Sequence, residues 1–260
     1  MKQIFLSSLR DESTRIFNIA EEYNLGIEIL GFIQPYSIDN YSDKIDITKH
    51  KMINIKQCSM HGPFLDLFPA SKDPEIINVV KKRFIHAYDT AKNINAKHLI
   101  FHAGYISKAY FPQEWLETSI CFWKDFLFHL DGNIEIHIEN VCEDDYYLIN
   151  DLIETVDNPM FSACLDIGHV NIHSHKTISE WIKGLNKKIK YVHLHNNDGI
   201  TDNHFGLCRG EINIADVLEL LEIYAPNSKW SLETKLNETE ESVLWLESNG
   251  FIKQNTCGYK

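Results

Sequence analysis

The 260-residue sequence predicts an α/β protein built as a closed (β/α)8 barrel, and three observations carry that prediction. Short apolar runs rich in β-branched and aromatic residues alternate with longer stretches of helical period, which is the pattern of parallel strands joined by crossover helices. Eight such pairs follow one another with no Gly/Ser/Pro-rich linker, low-complexity run or longer repeat to divide them, which favours closure over an open doubly wound sheet. From the third pair onward almost every strand ends on a residue able to ligate a metal or move a proton, as expected where a barrel builds its site at the C-terminal strand ends. The length suits one such barrel, so the expected domain is residues 1–260 as a whole.

Residues 3–6 (QIFL) open the sheet, and 11–23 follow with apolar positions at helical spacing. The second strand is expected at 26–32 (GIEILGF), while the stretch 39–55 after it is only weakly helical. Strand three, 58–64 (CSMHGPF), precedes a helix over 74–95, where Ser71 or Asp73 would cap the N-terminus ahead of Pro74 in the first turn. Strand four is 98–104 (HLIFHAG) with a helix over 112–130, and strand five is 134–141 (IEIHIENV) with a helix over 144–156. Strand six, 161–169 (FSACLDIGH), leads to a helix over 178–185. Strand seven, 190–197 (KYVHLHNN), leads to one over 214–224 that Asn213 would cap. Strand eight, 230–235 (WSLETK), is followed by a helix over 238–248, and Asn95 and Gly250 stand where helices should stop.

Composition narrows the classes of function. With 25 Lys+Arg against 37 Asp+Glu the formal net charge is −12, which argues against nucleic-acid partners, because backbone binding needs a basic face that neutralises phosphates. The six cysteines are scattered without a C-x-x-C pair, so reduced thiols are expected. The opening MKQIFLSSLRDESTR has only a short apolar stretch, Ile4–Leu6, too short for a signal-peptide core, and no segment approaches the roughly 18–20 apolar residues of a membrane span. A cytoplasmic protein without a membrane partner is the expectation, and an oligomer is compatible with the sequence.

His61 ends strand three, His102 strand four, Glu139 strand five, and Asp166 with His169 strand six. His193 and His195 occupy strand seven, Asp202 and His204 the loop after it, and Glu233 strand eight. A single strand-end histidine is more often a satisfied core residue than a ligand. Glu139 and Glu233 differ: both lie inside apolar strands, where an ionised carboxylate is costly unless paired or metal-bound. Nothing in barrel stability requires His, Asp and Glu at one end of successive strands. The donors are nitrogen and carboxylate oxygen without thiolate, which suits divalent Mn, Co, Zn, Fe or Mg. Arg209 could grip a substrate phosphate or carboxylate, with a surface ion pair the competing expectation. His137 shares the inward face of its strand with Glu139, as site support or as packing. Cys164 reads as a small buried hydrophobe, His173 and His175 as solvated, and Trp115 and Tyr105 as packing residues.

With these motifs in hand, the sequence resembles the xylose isomerase-like TIM barrels, which include sugar isomerases, epimerases and the endonuclease IV branch. HGPF, FHAG, I-E-N, LDIGH, HLHNND, D-N-H and L-E-T stand in the family's order along nearly the whole chain. For the isomerases and epimerases the resemblance implies one divalent ion (Mn, Zn or Co) on Glu139, Asp166, His195 and Glu233, with His169 contacting substrate. His61, His102 and Arg209 are then further candidates for substrate binding. For the endonuclease branch it implies three zinc ions, adding His61, His102, His169, Asp202 and His204. His195 is preferred to His193 on the spacing H-x-x-D to Asp198. The expected function is metal-dependent isomerisation or epimerisation of a small sugar, polyol or sugar phosphate, Glu139 and Glu233 moving the protons. The alternative is a metal-dependent phosphodiester hydrolase of the endonuclease IV type.

Overall fold

The computed structural model describes residues 2–8, 14–35 and 42–254. Eight parallel strands close in chain order: β1 (Ile4–Ser7), β2 (Gly26–Ile29), β3 (Cys58–His61), β4 (His98–His102), β5 (Glu135–Glu139), β6 (Phe161–Asp166), β7 (Ile189–Leu194) and β8 (Lys229–Leu232). β8 returns to β1 through pairs such as Phe5 with Ser231. The helices among the described residues are α1 (Thr14–Tyr23), α2 (Ser42–Lys51), α3 (Pro74–Asn93), α4 (Pro112–Phe128), α5 (Tyr147–Val156), α6 (Ile167–His173), α7 (Ile178–Leu185), α8 (Ile214–Tyr224) and α9 (Leu236–Ser248). The predicted (β/α)8 barrel is therefore the observed fold. None of these helices is long and apolar enough to cross a membrane.

Local chemistry sets the boundaries. Asp73 caps α3 by accepting from Glu75 N–H at 2.8 Å, and Asn213 caps α8 by accepting from Asp216 N–H. Asn95 and Gly250 take φ of 60° and 81° just past α3 and α9. The first predicted helix is observed from Thr14, its first three predicted residues lying outside the described ones, as do positions 39–41 of the weakly helical stretch. Strands two to eight are shorter than expected because the chain bends into loops once the hydrogen-bonded ladder ends, and the first is shifted by one residue.

Strand six needs a correction. It stops at Asp166, and residues 167–173 form α6 instead of continuing the strand. Asp166 is the N-cap of that helix, its Oδ1 accepting from His169 N–H at 2.7 Å. A predicted strand-end histidine thus rides on the first turn of a short helix, turned back over the barrel mouth.

Two apolar layers hold the molecule together. The larger lies between sheet and helices and includes Trp115, Trp123, Trp181 and Trp230, all fully buried. Trp115 packs edge-on against Tyr105, so both serve that layer. The smaller is inside the barrel, where Phe5, Ile100, Cys164 and Tyr191 form a thin apolar disc. Most other inward positions are polar, against the layers of branched apolar residues usual in such barrels. The described cysteines are unpaired thiols, and Cys257 lies outside the described residues.

Candidate metal centre

Above the apolar disc, at the C-terminal strand ends, the structure gathers ten ionisable side chains. Glu139, Asp166, His193 and Glu233, all buried, bring donor atoms within 4.8 Å of one another. Two further groups flank them: His61 and His102 with Glu139, and His195 and His204 with Glu233. The two glutamates picked out as costly to bury each belong to two groups.

Each residue is held by identifiable bonds. His61 donates from Nδ1 to the Gly62 carbonyl at 2.8 Å and presents Nε2 to Glu139 Oε2 at 3.0 Å. His102 places Nε2 3.4 Å from the same oxygen, its ring stacked on Phe64. Asn140 clamps β5 to β6: its amide accepts from Asp166 N–H and donates to the Asp166 carbonyl, while its own carbonyl accepts from His169 Nδ1. His195 Nε2 lies 3.1 Å from both Asp166 oxygens. His204, at φ 50°, donates from Nδ1 to the Glu233 carbonyl and pairs through Nε2 with Asp202 at 2.9 Å. Asp202 also faces His169 Nε2 at 3.7 Å.

The structure places His193, where the spacing argument had preferred His195, in the four-donor group. Both face inward because they are two apart on β7, but His193 pairs in register with Asp166 and lies deeper, whereas His195 stacks beside His204 above it. Spacing along the chain does not report that depth. His193 Nδ1 lies 3.2 Å from Glu139 and 3.4 Å from Glu233 without forming a well-aligned hydrogen bond, so a buried nitrogen is aimed unsatisfied into the carboxylates. Its other nitrogen rests on Glu28 Oε1 at 3.1 Å, and Glu28 is held in turn by Tyr191, whose hydroxyl meets Ser59 Oγ at 2.7 Å.

Glu28, buried against His193, is a candidate site residue that sequence reasoning missed, although the signal was the one used for its partners: a carboxylate inside an apolar strand, GIEIL. Glu143 was missed too; it is buried behind the site, and burial pushes its carboxyl up to about 7. Arg209 does not reach into the cluster: it is 64% exposed, bonded to Glu238 at 3.1 Å and stacked over Phe205.

Burial and charge pull the two glutamates apart. Burial favours the neutral form of both, but at Glu139 the surrounding histidines outweigh it and hold the carboxyl well below its usual range. At Glu233 burial prevails over His193 and His204, and the pKa is raised. Burial drives His102 down to about 3, whereas at His61 and His169 the neighbouring carboxylates overcome burial and raise the pKa. The arrangement provides an anionic floor that fits a divalent cation, and two buried carboxyl groups with opposed proton affinities.

The tightest steric constraint is Gly168 in the first turn of α6. A Cβ there would lie 1.9 Å from His195 Cε1. Gly168→Ala is expected to displace the His195 ring from Asp166 and to destabilise the fold by about 1–3 kcal/mol in urea titration. An unchanged midpoint would show that the ring is free to move.

A closed (β/α)8 barrel with carboxylates and imidazoles converging at its C-terminal mouth defines a class of barrels whose strand ends carry donor groups that could hold a metal ion. The xylose isomerase-like TIM barrel profile matches residues 26–249, and the chain belongs to that family. It is 25% identical over 186 residues to an uncharacterized protein of Methanocaldococcus jannaschii, MJ1311, with 68% of this chain and 64% of that protein covered. The chain thus spans less than two thirds of that relative. Among solved structures it is similar to a D-tagatose 3-epimerase-like protein, with TM-score 0.79 and 22% identity over 95% of this chain and 96% of the other. It is also similar to D-psicose 3-epimerase in the presence of D-fructose, with TM-score 0.75 and 13% identity over 95% and 99%. A third is the IolI protein with a bound zinc atom, with TM-score 0.74 and 16% identity over 95% and 96%.

Proposed function

We propose that the chain is a metal-dependent epimerase or isomerase of a small sugar, polyol or sugar phosphate. The observation that carries this reading is the buried pair Glu139 and Glu233, which flank His193 in one four-donor group while their pKa values are shifted in opposite directions. Glu139, Asp166, Glu233 and an imidazole of β7 would hold the ion. His195 is the residue the spacing singles out and His193 the one the geometry groups, and each is to be replaced by Gln in turn. The unsatisfied His193 nitrogen and the three buried carboxylates fit such a group. When bound, a divalent ion supplies Lewis acidity to neighbouring substrate oxygens.

The protein's own residues move the protons. Glu139, whose proton affinity the histidines lower, takes the proton from the carbon beside the carbonyl, and Glu233, whose proton affinity burial raises, returns one from the other side, the substrate passing through an enediolate. Burial excludes bulk water from both carboxyl groups. His169, bonded to Asn140 and facing Asp202, is positioned to hold a substrate hydroxyl, with His61 and His102 lining the other side. The named epimerases among the structural neighbours support this reading of substrate class.

One observation favours a second reading, a phosphodiester hydrolase of the endonuclease IV type. Three donor groups are linked in a row, the central one sharing Glu139 with one neighbour and Glu233 with the other, enough donors to hold more than one divalent ion. Elemental analysis of protein purified without added metal separates the two. The Asp166→Asn variant is expected to contain one divalent ion fewer per chain than the wild type under the epimerase reading, and a difference of three zinc ions would favour the hydrolase.

A further inference from the structure

Below the apolar disc, at the opposite mouth of the barrel, lies a second cluster that the proposed reaction does not use. His98 and Glu135 are the first residues of β4 and β5, and His137 stands two further along β5 on the same face. His98 Nδ1 lies 3.1 Å from His137 Nε2 and 3.5 Å from Glu135 Oε2, and His137 Nε2 lies 3.9 Å from that oxygen. The rings of Phe5 and Tyr191, both in the disc, pack against these histidines from above and separate them from the upper cluster.

We propose that His98, Glu135 and His137 form a second metal-binding site, for a divalent cation of the Zn2+ type, at the N-terminal mouth of the barrel. Zinc bonds of 2.0–2.2 Å at tetrahedral angles separate neighbouring donors by about 3.3 Å, close to the middle of the observed triangle. His137 Nδ1 lies 2.8 Å from Ser162 Oγ, and with Nδ1 as the donor its Nε2 offers a lone pair on the side of His98 and Glu135. Both histidine side chains are buried, whereas Glu135 is 47% exposed, so the site has a rigid wall and one side open to water. That side opens on a depression of about 500 Å3, lined by Lys97, Asn133, Met160 and Lys229 as well as His98 and Glu135, with room for a water as fourth ligand.

Lys229 Nζ, 3.5 Å from Glu135 Oε2, is the one cation already at the carboxylate among its described ion pairs with Lys or Arg. It competes with a metal ion for the same oxygen. The site therefore binds more tightly when that ammonium is removed.

The test is equilibrium dialysis of the chelator-treated full chain against Zn2+, followed by elemental analysis. Wild type is expected to hold one equivalent more than Glu135→Gln and one more than His98→Gln, and this equivalent should persist in Asp166→Asn, whose upper site is impaired. Lys229→Met should tighten it about two- to fivefold, the range of a weak exposed ion pair released. Glu135 is exposed enough for its variant to fold even if His98→Gln does not. An unchanged zinc count in Glu135→Gln, or loss of this equivalent in Asp166→Asn, overturns the proposal.

Discussion

Under the proposed function, Glu139→Gln is expected to lower kcat on whichever small sugar, polyol or sugar phosphate the wild type turns over by about 10²–10⁴-fold, the usual contribution of one positioned acid or base. It is also expected to weaken retention of the upper ion, because the amide removes an anionic donor shared by two of the three upper groups. Glu233→Gln should lose activity comparably, since a proton taken by one group must be returned by the other. The two variants differ in what remains: with Glu139 intact an isotope-labelled substrate still exchanges its carbon-bound proton with solvent, whereas with only Glu233 intact that exchange stops. Assays of turnover and proton exchange on both variants check this directly. A Glu139→Gln protein with near wild-type turnover on a substrate the wild type epimerises would remove Glu139 from the reaction.

The second large effect concerns nucleic acid. An endonuclease must hold duplex backbone on cationic side chains, and its affinity falls steeply as salt rises. The chain carries a net −12, and two of the cations closest to the motif loops are already engaged, Lys72 with Glu114 and Arg209 with Glu238. Lys235 lies over the Phe205 ring. Negligible binding to duplex DNA containing an abasic site is expected at physiological salt, and no incision with Zn2+ or Mn2+ supplied. Gel-shift and strand-cleavage assays decide it. Incision that depends on Asp202 and His204 would replace the epimerase reading with the hydrolase.

The architecture was legible because alternation of strand and helix is written in periodicity, and two helices, α7 and α8, begin and end where the pattern places them. The gathering of the candidate residues was legible because ionisable side chains at the ends of successive barrel strands converge on one mouth. What escaped is depth and direction. His193 and His195 look alike in a string of letters, and only the register of β7 against β6 puts the first level with Asp166. His169 looked like the end of a strand because D-I-G-H is apolar enough to extend one, yet Asp166 turns the chain by capping the next helix. Glu28 lay in a strand whose end carried no histidine, so the search along strand ends passed over it. The lower cluster escaped for the opposite reason: His98 and Glu135 open their strands, where a reader looking for active-site chemistry does not look.

The polar interior around the thin disc has an implication for how this barrel can change. Glu28, Ser59, His137, Ser162, His193 and Ser231 occupy buried positions where a barrel of this kind ordinarily carries valine, isoleucine or leucine. Buried ionic networks are frequently less stabilising than well-packed hydrocarbon of the same volume. Heat resistance would therefore be gained most readily by refilling the lumen, and each such exchange would remove a support from one mouth or the other. Selection for robustness and selection for chemistry oppose each other here within a single column of side chains, while the outer helices remain free to drift.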